Sequence, residues 1–209
     1  MSSSVQVEPI MTSLRTKFQS QSWQKDQFVI STDPNLFPIS QLSDIFNSSE
    51  FYWASALSPE AFKEALHNSL SFGIYDSAQS PSPESPGKLI GLARLVTDFV
   101  TFAYLTDVWV DPTYQGKGLG SWLVRCIQET LDEMPDLRRA MLLTGDWERS
   151  VPFYERLLGM SLVEPKRGEG LAVMESKGRG HLCMYVCIFF VRGAVGPEKS
   201  PNGAQDVLS

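Results

Sequence analysis

Apolar residues recur every three or four positions from Leu119 to Leu131, with charged and amide side chains between them. This spacing puts the apolar side chains on one face of a helix, the arrangement of a helix that lies on a sheet. Pro135 ends the pattern. The same spacing predicts a helix over residues 38–47 and another that begins after Ser58, a residue type favoured at helix N-caps.

A last helix is predicted from Ser150 to Gly159, and the other ordered segments have the short apolar runs of β-strands. The predicted strands are residues 28–32, 71–75 and 88–97, the segment between the turn at Asp98 and Val110, and residues 140–144, 160–164 and 171–175. This order predicts an α/β protein with a mixed (α+β) sheet of about six to seven strands and helices on both faces. The segment from residue 88 to Val110 forms an antiparallel hairpin, and residues 104–144 form a right-handed parallel crossover.

The two ends of the chain differ from its middle. Residues 1–27 are rich in Ser and Gln without a sustained period, which predicts a mobile N-terminal arm before a folded domain over residues 28–176. Residues 177–209 are predicted to form a C-terminal extension, with an apolar run at 182–191 and a disordered end. That run is too short to span a membrane. It suits an extra edge strand, a strand exchanged in a dimer, or an aggregation-prone segment.

The composition of the chain limits the kinds of partner that it could bind. The chain has 209 residues, a formal net charge of -6 and a pI near 5.0, which argue against a nucleic-acid partner. The acidity fits a cationic substrate or simply an acidic, soluble surface. Three cysteines cannot all pair, which favours a reducing compartment, the cytoplasm with the nucleus not excluded. We expect no membrane partner, and either a monomer or a homodimer.

A glycine-rich loop precedes the clearest helix. Gly116, Gly118 and Gly120 leave backbone N–H groups uncovered at a helix N-terminus, where a phosphate is favoured. The loop contains neither the G-x-x-x-x-G-K-[ST] run of nucleotide-binding P-loops nor the G-x-G-x-x-G dinucleotide fingerprint. The segment therefore predicts a site for a different phosphorylated ligand.

The run Gln115-Gly-Lys-Gly-Leu-Gly120 resembles the Gln/Arg-x-x-Gly-x-Gly signature of GNAT-type N-acetyltransferases. Residues 153–160, Phe-Tyr-Glu-Arg-Leu-Leu-Gly-Met, resemble the Phe/Leu-Tyr-x-x-x-Gly-Phe helix end of the same family, with one extra residue before the glycine. The resemblance covers roughly residues 28–176. It implies a GNAT-like acyl-CoA N-acyltransferase fold and acetyl-CoA as co-substrate, without a metal.

The resemblance also implies residue roles. The loop backbone would bind the CoA pyrophosphate, and the strand end would pair with the pantetheine arm. Tyr154 would protonate the departing thiolate, although a helix-packing role is the alternative. The implied cofactor-binding residues are Trp109, Val110, Gln115, Gly116, Lys117, Gly118, Leu119, Gly120 and Ser121.

Asp107 is the candidate general base, because it matches the strand position where many GNAT proteins carry an acid. A hydrogen-bonded strand acid without a catalytic role is the alternative. Family members often have Asn and Ala before the tyrosine, where this chain has Trp147 and Ser150. The aromatic residues that could line an acceptor pocket, or simply form core, are Trp109, Trp147, Phe51, Tyr52 and Trp53.

The predicted function is therefore transfer of an acetyl group from acetyl-CoA to a primary amine of a small molecule or a peptide. The amine would attack the thioester directly, without a covalent enzyme intermediate. The alternative is a non-catalytic acyl-CoA-binding or regulatory module with the same fold.

Overall fold

The computed structural model describes residues 13–51, 53–80 and 85–163. Its helices are α1 Leu14–Phe18, α2 Ile39–Phe46, α3 Pro59–His67, α4 Leu119–Asp132 and α5 Ser150–Leu158. Its strands are β1 Ser22–Lys25, β2 Phe28–Ser31, β3 Leu70–Asp76, β4 Lys88–Thr97, β5 Phe102–Val110 and β6 Arg139–Leu142. Short 3-10 helices lie at Pro34–Leu36, Ser49–Phe51, Ser77–Gln79 and Pro112–Tyr114.

The strands form one mixed sheet of six strands in the order β1-β2-β3-β4-β5-β6. Neighbours are antiparallel except β5 and β6, which are parallel. The predicted mixed α/β sheet is thus confirmed, as are the β4–β5 hairpin and the parallel connection through α4. Parallel neighbours need a crossover of this kind, since a tight turn cannot join them.

Helices cover both faces of the sheet. Successive strand residues point to opposite faces, and the neighbours Ile74 and Tyr75 of β3 accordingly belong to different hydrophobic clusters. The first cluster includes side chains of α1 and α4, with α5 packed against it. The second includes side chains of α2 and α3. The two clusters hold the sheet between two helical layers.

The chain before β2 differs from the prediction. The expected mobile arm is wrong for residues 13–27, because α1 and β1 lie there. Phe18 is fully buried, the Thr32 hydroxyl donates to its carbonyl oxygen at 2.6 Å, and Trp23 stacks on Phe72 at 5.9 Å. A few apolar side chains are enough to hold this polar segment against the sheet. They are too few to produce a periodic pattern in the sequence.

The last predicted strands lie at the edge of the described residues. Residues 160–163 do not form a strand, and the rest of the predicted strand at 160–164 lies outside the described residues. The strand predicted at 171–175 and the apolar run at 182–191 also lie outside them. Within the described part of the chain, no helix is long and apolar enough to cross a membrane.

We predict that Phe18→Ala lowers the free energy of unfolding by about 3–5 kcal/mol, because it leaves a cavity in a closed core. Urea denaturation followed by tryptophan fluorescence measures the effect. Leu14→Ala in the same helix is the control, because Leu14 is 38% exposed. Equal, small effects of both substitutions would mean that α1 does not pack on the sheet.

Candidate active site

Strand β5 leads into the glycine loop through a short 3-10 helix, Pro112–Tyr114. Asp111 fixes this turn, because its carboxylate accepts from the Thr113 N–H at 2.9 Å. Its own N–H donates to the Ile90 carbonyl oxygen at 2.8 Å, which ties the turn to β4. The loop that follows therefore starts from a rigid position at the strand end.

Glycine is required in this loop by conformation. Gly116 and Gly118 have φ angles of 80° and 71°, a region that other residues rarely adopt. A Cβ atom added to either residue would meet no atom within 4 Å. Space therefore lies open above the loop, and the glycines leave its backbone accessible. We call residues 115–121, the loop and the first turn of α4, the cradle.

The N-terminus of α4 has no side-chain cap. Its N-cap residue is Gly118, which has no side chain that could accept from the first N–H groups of the helix. The first N–H groups of a helix have no partner inside the helix, and the helix dipole adds partial positive charge there. The amides of Leu119, Gly120 and Ser121 are consequently suited to an anionic group such as a diphosphate.

Tyr114 anchors the loop to the sheet. Its ring is buried, and its hydroxyl donates to a carboxylate oxygen of Asp76 at the end of β3 at 2.9 Å. Gln79 donates to the same hydroxyl. The ammonium groups of Lys117 and Lys88 lie 4.8 and 5.8 Å from the centre of the Tyr114 ring. A lysine of the cradle is thus held near the loop by an aromatic face.

Asp76 is buried, yet it is held as a carboxylate. Burial favours the neutral acid, but hydrogen bonds from Tyr114, Gln79, the Ala78 N–H and Gln27 outweigh it and lower the pKa of Asp76 below its usual value. The network connects the turn before β2, the end of β3 and the segment that leads into the glycine loop. None of its members was singled out in the sequence, because the contacts join residues far apart in the chain.

Strand β5 separates from β6 beside this loop. The two strands pair from Phe102 with Arg139 to Leu105 with Leu142, where β6 ends. From Thr106 onward, the described residues give β5 no partner on that side. Within the part of the chain that the structure describes, the backbone edge near Trp109 and Val110 is therefore open on the side where an extended ligand could pair with it.

Asp107 lies where the strands part. Arg94 of β4 pairs with Thr106, and Leu92 pairs with Trp109, so β5 carries an extra residue in a bulge. Asp107 has a φ angle of 55°, which is uncommon for a residue other than glycine. Such a conformation is retained at a cost of about 1–3 kcal/mol.

Asp107 is also half of an ion pair. Its carboxylate is 7% exposed and accepts from the Arg94 Nε at 2.7 Å and from the Thr106 hydroxyl at 3.2 Å. Arg94 is a residue of the candidate site that was not predicted from the sequence. Its position as a charged residue within the apolar run of β4 is unusual, and it could have indicated a buried ion pair. Because Arg94 and Thr106 already occupy two lone-pair positions of the Asp107 carboxylate, fewer positions remain for a substrate.

A small cleft of about 40 Å³ lies between the sheet and the helices α2 and α3, and Asp107 and Arg94 line it. We call it the α2–α3 cleft. Its walls are mostly apolar and include Phe37, Phe46 and Phe62. Phe51, one of the aromatic residues suggested for a pocket, does not line the cleft, although it belongs to the same buried cluster as Phe37 and Phe62. Tyr52 lies outside the described residues.

Tyr154 lies on α5 and lines a different cavity. This groove of about 670 Å³ lies between α4, β6 and α5 and includes the exposed side chain of Trp147. Burial raises the pKa of the Tyr154 hydroxyl to about 12. The structure thus places Tyr154 and Asp107 in separate cavities, on the sides of the sheet covered by α4 and by α2 and α3. Among the described residues, no group of three or more potential ligands could hold a metal.

We predict that Asp76→Asn lowers the free energy of unfolding at pH 7 by about 1.5–3 kcal/mol, the range for a hydrogen-bonded charge. Because folding lowers the pKa of Asp76, its contribution is present above the usual carboxyl pKa of 3.8 and lost as the pH falls through the folded-state value. Urea denaturation across acidic pH should show the two proteins converging. The exposed Asp136→Asn is the control, and parallel curves for Asp76→Asn and the wild type would contradict the prediction.

Comparisons with known proteins agree with this geometry. The sequence profile of the Acetyltransferase (GNAT) family matches residues 39–160. A Gibberella zeae protein named as an acetyltransferase is 34% identical over 173 residues, which are 77% of this chain and 96% of that protein. GCN5-related N-acetyltransferase 2 of Arabidopsis thaliana is 38% identical over 107 residues, 50% of this chain and 40% of the relative.

A solved structure has the same fold. The crystal structure of a GNAT-family protein from Xanthomonas campestris superposes with a TM-score of 0.56 at 27% identity, covering 73% of this chain and 94% of that protein. The profile match extends over more than half of the chain and includes the glycine loop, α4 and α5. The chain is an enzyme of the acyltransferase class and belongs to the GNAT acetyltransferase family.

Proposed function

We propose that this acetyltransferase binds acetyl-CoA at the glycine loop and transfers the acetyl group to a primary amine. One observation carries the proposal: the uncapped N-terminus of α4 lies behind two glycines with positive φ. An uncapped helix end with an open approach favours a diphosphate. The residues proposed to hold it are Gln115, Gly116, Lys117, Gly118, Leu119, Gly120 and Ser121.

The edge of β5 beyond Leu105 has no strand partner among the described residues, and it supports a place for the rest of the coenzyme. Main-chain groups near Trp109 and Val110 would hydrogen-bond the pantetheine arm as an added strand does. Such pairing would bring the thioester toward the point where β5 and β6 part. Bound acetyl-CoA supplies an acyl carbon attached to a thiolate leaving group.

We assign deprotonation of the amine to Asp107 and protonation of the departing thiolate to Tyr154. An amine arrives mostly as ammonium near neutral pH and must lose a proton before its nitrogen attacks the acyl carbon. The carboxylate of Asp107 would accept that proton, directly or through water. As the carbon–sulfur bond breaks, the Tyr154 hydroxyl would share its proton with the sulfur, since it stays protonated over the whole working pH range.

A non-catalytic acyl-CoA-binding module is the second candidate, and two observations favour it. Arg94 occupies one oxygen of the Asp107 carboxylate, and Tyr154 lies in a separate groove. The purified protein, acetyl-CoA and a broad panel of amines separate the two functions through release of free thiol. Tight CoA binding without thiol release from any amine would favour the binding module.

We also infer a reducing compartment, the cytoplasm with the nucleus as the alternative. Cys126 is a buried free thiol on α4, and its chain carries an odd number of cysteines. Free buried thiols are typical of proteins kept under reducing conditions. Fractionation of cells that express the tagged protein tests this location.

We predict that Gly118→Glu abolishes CoA binding measured by calorimetry. The substitution imposes strain at a φ of 71° and brings a negative charge to the phosphate site. Gly145→Glu is a matched control, because a Cβ atom there also meets no atom within 4 Å and Gly145 lies outside the loop. Wild-type affinity in Gly118→Glu would show that the loop does not hold the coenzyme.

We predict that Tyr154→Phe lowers kcat by about 10- to 1000-fold and leaves CoA affinity unchanged, because only the transferable proton is lost. Tyr75→Phe, which removes a buried hydroxyl elsewhere, is the control. Since the pKa of Tyr154 is about 12, phenol ionisation should not reduce the wild-type rate as the pH passes 10, the usual tyrosine value. An unchanged kcat in Tyr154→Phe would assign Tyr154 to helix packing.

A further inference from the structure

The α2–α3 cleft has the character of a site for a small apolar group. The side chains that line it are Phe37, Leu42, Phe46, Leu57, Phe62, Ala65, Leu66, Leu92 and Ala93, together with the polar residues Ser71, Arg94 and Asp107. The apolar side chains come from three directions: from α2 and the segment before it, from α3 and the segment before it, and from β4. A ligand in the cleft would therefore touch hydrocarbon along most of its length.

The charges of the cleft are confined to one ion pair. Arg94 and Asp107 neutralise each other across 2.7 Å. A carboxylate has about four lone-pair positions, and Asp107 uses one for Arg94 and one for Thr106. It can therefore still accept from one ammonium group. A second positive charge on the ligand would lie among apolar side chains near Arg94, where it would have no partner and a high desolvation cost.

Few other polar atoms line the cleft. Ser71 is buried, and its hydroxyl lies 3.3 Å from the hydroxyl of Ser69. The polar residues of the cleft are thus Ser71 and the ion pair, all with partners in the protein. Sugar hydroxyls or peptide groups that entered the cleft would lose hydrogen bonds to water without full replacement.

The size of the cleft also favours a small group. A water molecule needs about 10–15 Å³ of such volume, whereas the cleft has about 40 Å³. It admits a group of only a few non-hydrogen atoms. Leu57 forms part of its rim and is 46% exposed, so the approach to the cleft is apolar as well.

On the basis of the proposed function, we infer that the acceptor is a small free amine with a compact, uncharged, apolar substituent, bound in the α2–α3 cleft with its nitrogen at Asp107. The apolar walls hold the substituent, and Asp107 holds the ammonium group. Polyamines, amino sugars and lysine side chains of peptides are poorer acceptors, because each brings a second charge or unpaired polar groups to the cleft or its rim.

The specificity constant kcat/KM tests this inference with butylamine, spermidine, glucosamine and a short lysine peptide as acceptors. We expect kcat/KM for butylamine to exceed each of the others by at least about 10-fold. A polar acceptor that is used as well as butylamine, or better, would overturn the inference and leave the acetyltransferase function intact. Absence of thiol release with every amine, despite CoA binding, would overturn both.

Leu57→Asp provides the second test, because Leu57 is exposed and its replacement should not disturb the core. The new carboxylate at the rim should offer a partner to a second ammonium group and so reduce the preference in kcat/KM for butylamine over spermidine, with CoA affinity unchanged. Leu14→Asp is the matched control, since Leu14 is an exposed leucine of α1 outside the cleft. An unchanged butylamine preference in Leu57→Asp would place the acceptor elsewhere.

Discussion

The separation of β5 from β6 is the constraint on which the proposed site depends. Strand pairing normally satisfies every backbone N–H and C=O group, and unpaired groups away from water are costly. Here the pairing stops after Leu105 and Leu142, although β5 continues to Val110. The edge that remains is next to the uncapped N-terminus of α4. Among the described residues, two sets of backbone groups without a partner thus lie together, and this supports the proposal that one extended, anionic ligand binds both.

A site built from backbone groups needs rigid support, which buried side chains provide here. Tyr114 and Asp76 connect the start of the glycine loop to β3, and Asp111 connects it to β4. Asp107 and Arg94 join β4 and β5 at the bulge. Polar pairs inside a protein often add little net stability, but they can favour one geometry over the alternatives. Their position around the cradle suggests that they hold the backbone in its binding conformation before the ligand arrives.

The sequence predicted the local parts of this arrangement and missed the long-range ones. The helix α4, the β4–β5 hairpin and the glycine loop each leave a periodic or positional signal, and each was predicted correctly. The pairs Asp76–Tyr114 and Arg94–Asp107 join residues 38 and 13 positions apart, and no pattern along the chain indicates them. The error at α1 and β1 has the same cause, because Phe18 and Trp23 become core residues only through contacts with β2, β3 and α4.

The positions of Asp107 and Tyr154 are consistent with a reaction that uses both faces of the sheet. Asp107 lines the cleft under α2 and α3, whereas Tyr154 lines the groove beside α4. In acyl transfer, the nucleophile needs a base and the leaving group needs an acid, and the two groups occupy different positions around the acyl carbon. A thioester held between the parted strands would be accessible from both sides. The separate cavities, which favour a binding module if considered alone, thus also suit an amine that enters from one face and a thiolate that is protonated from the other.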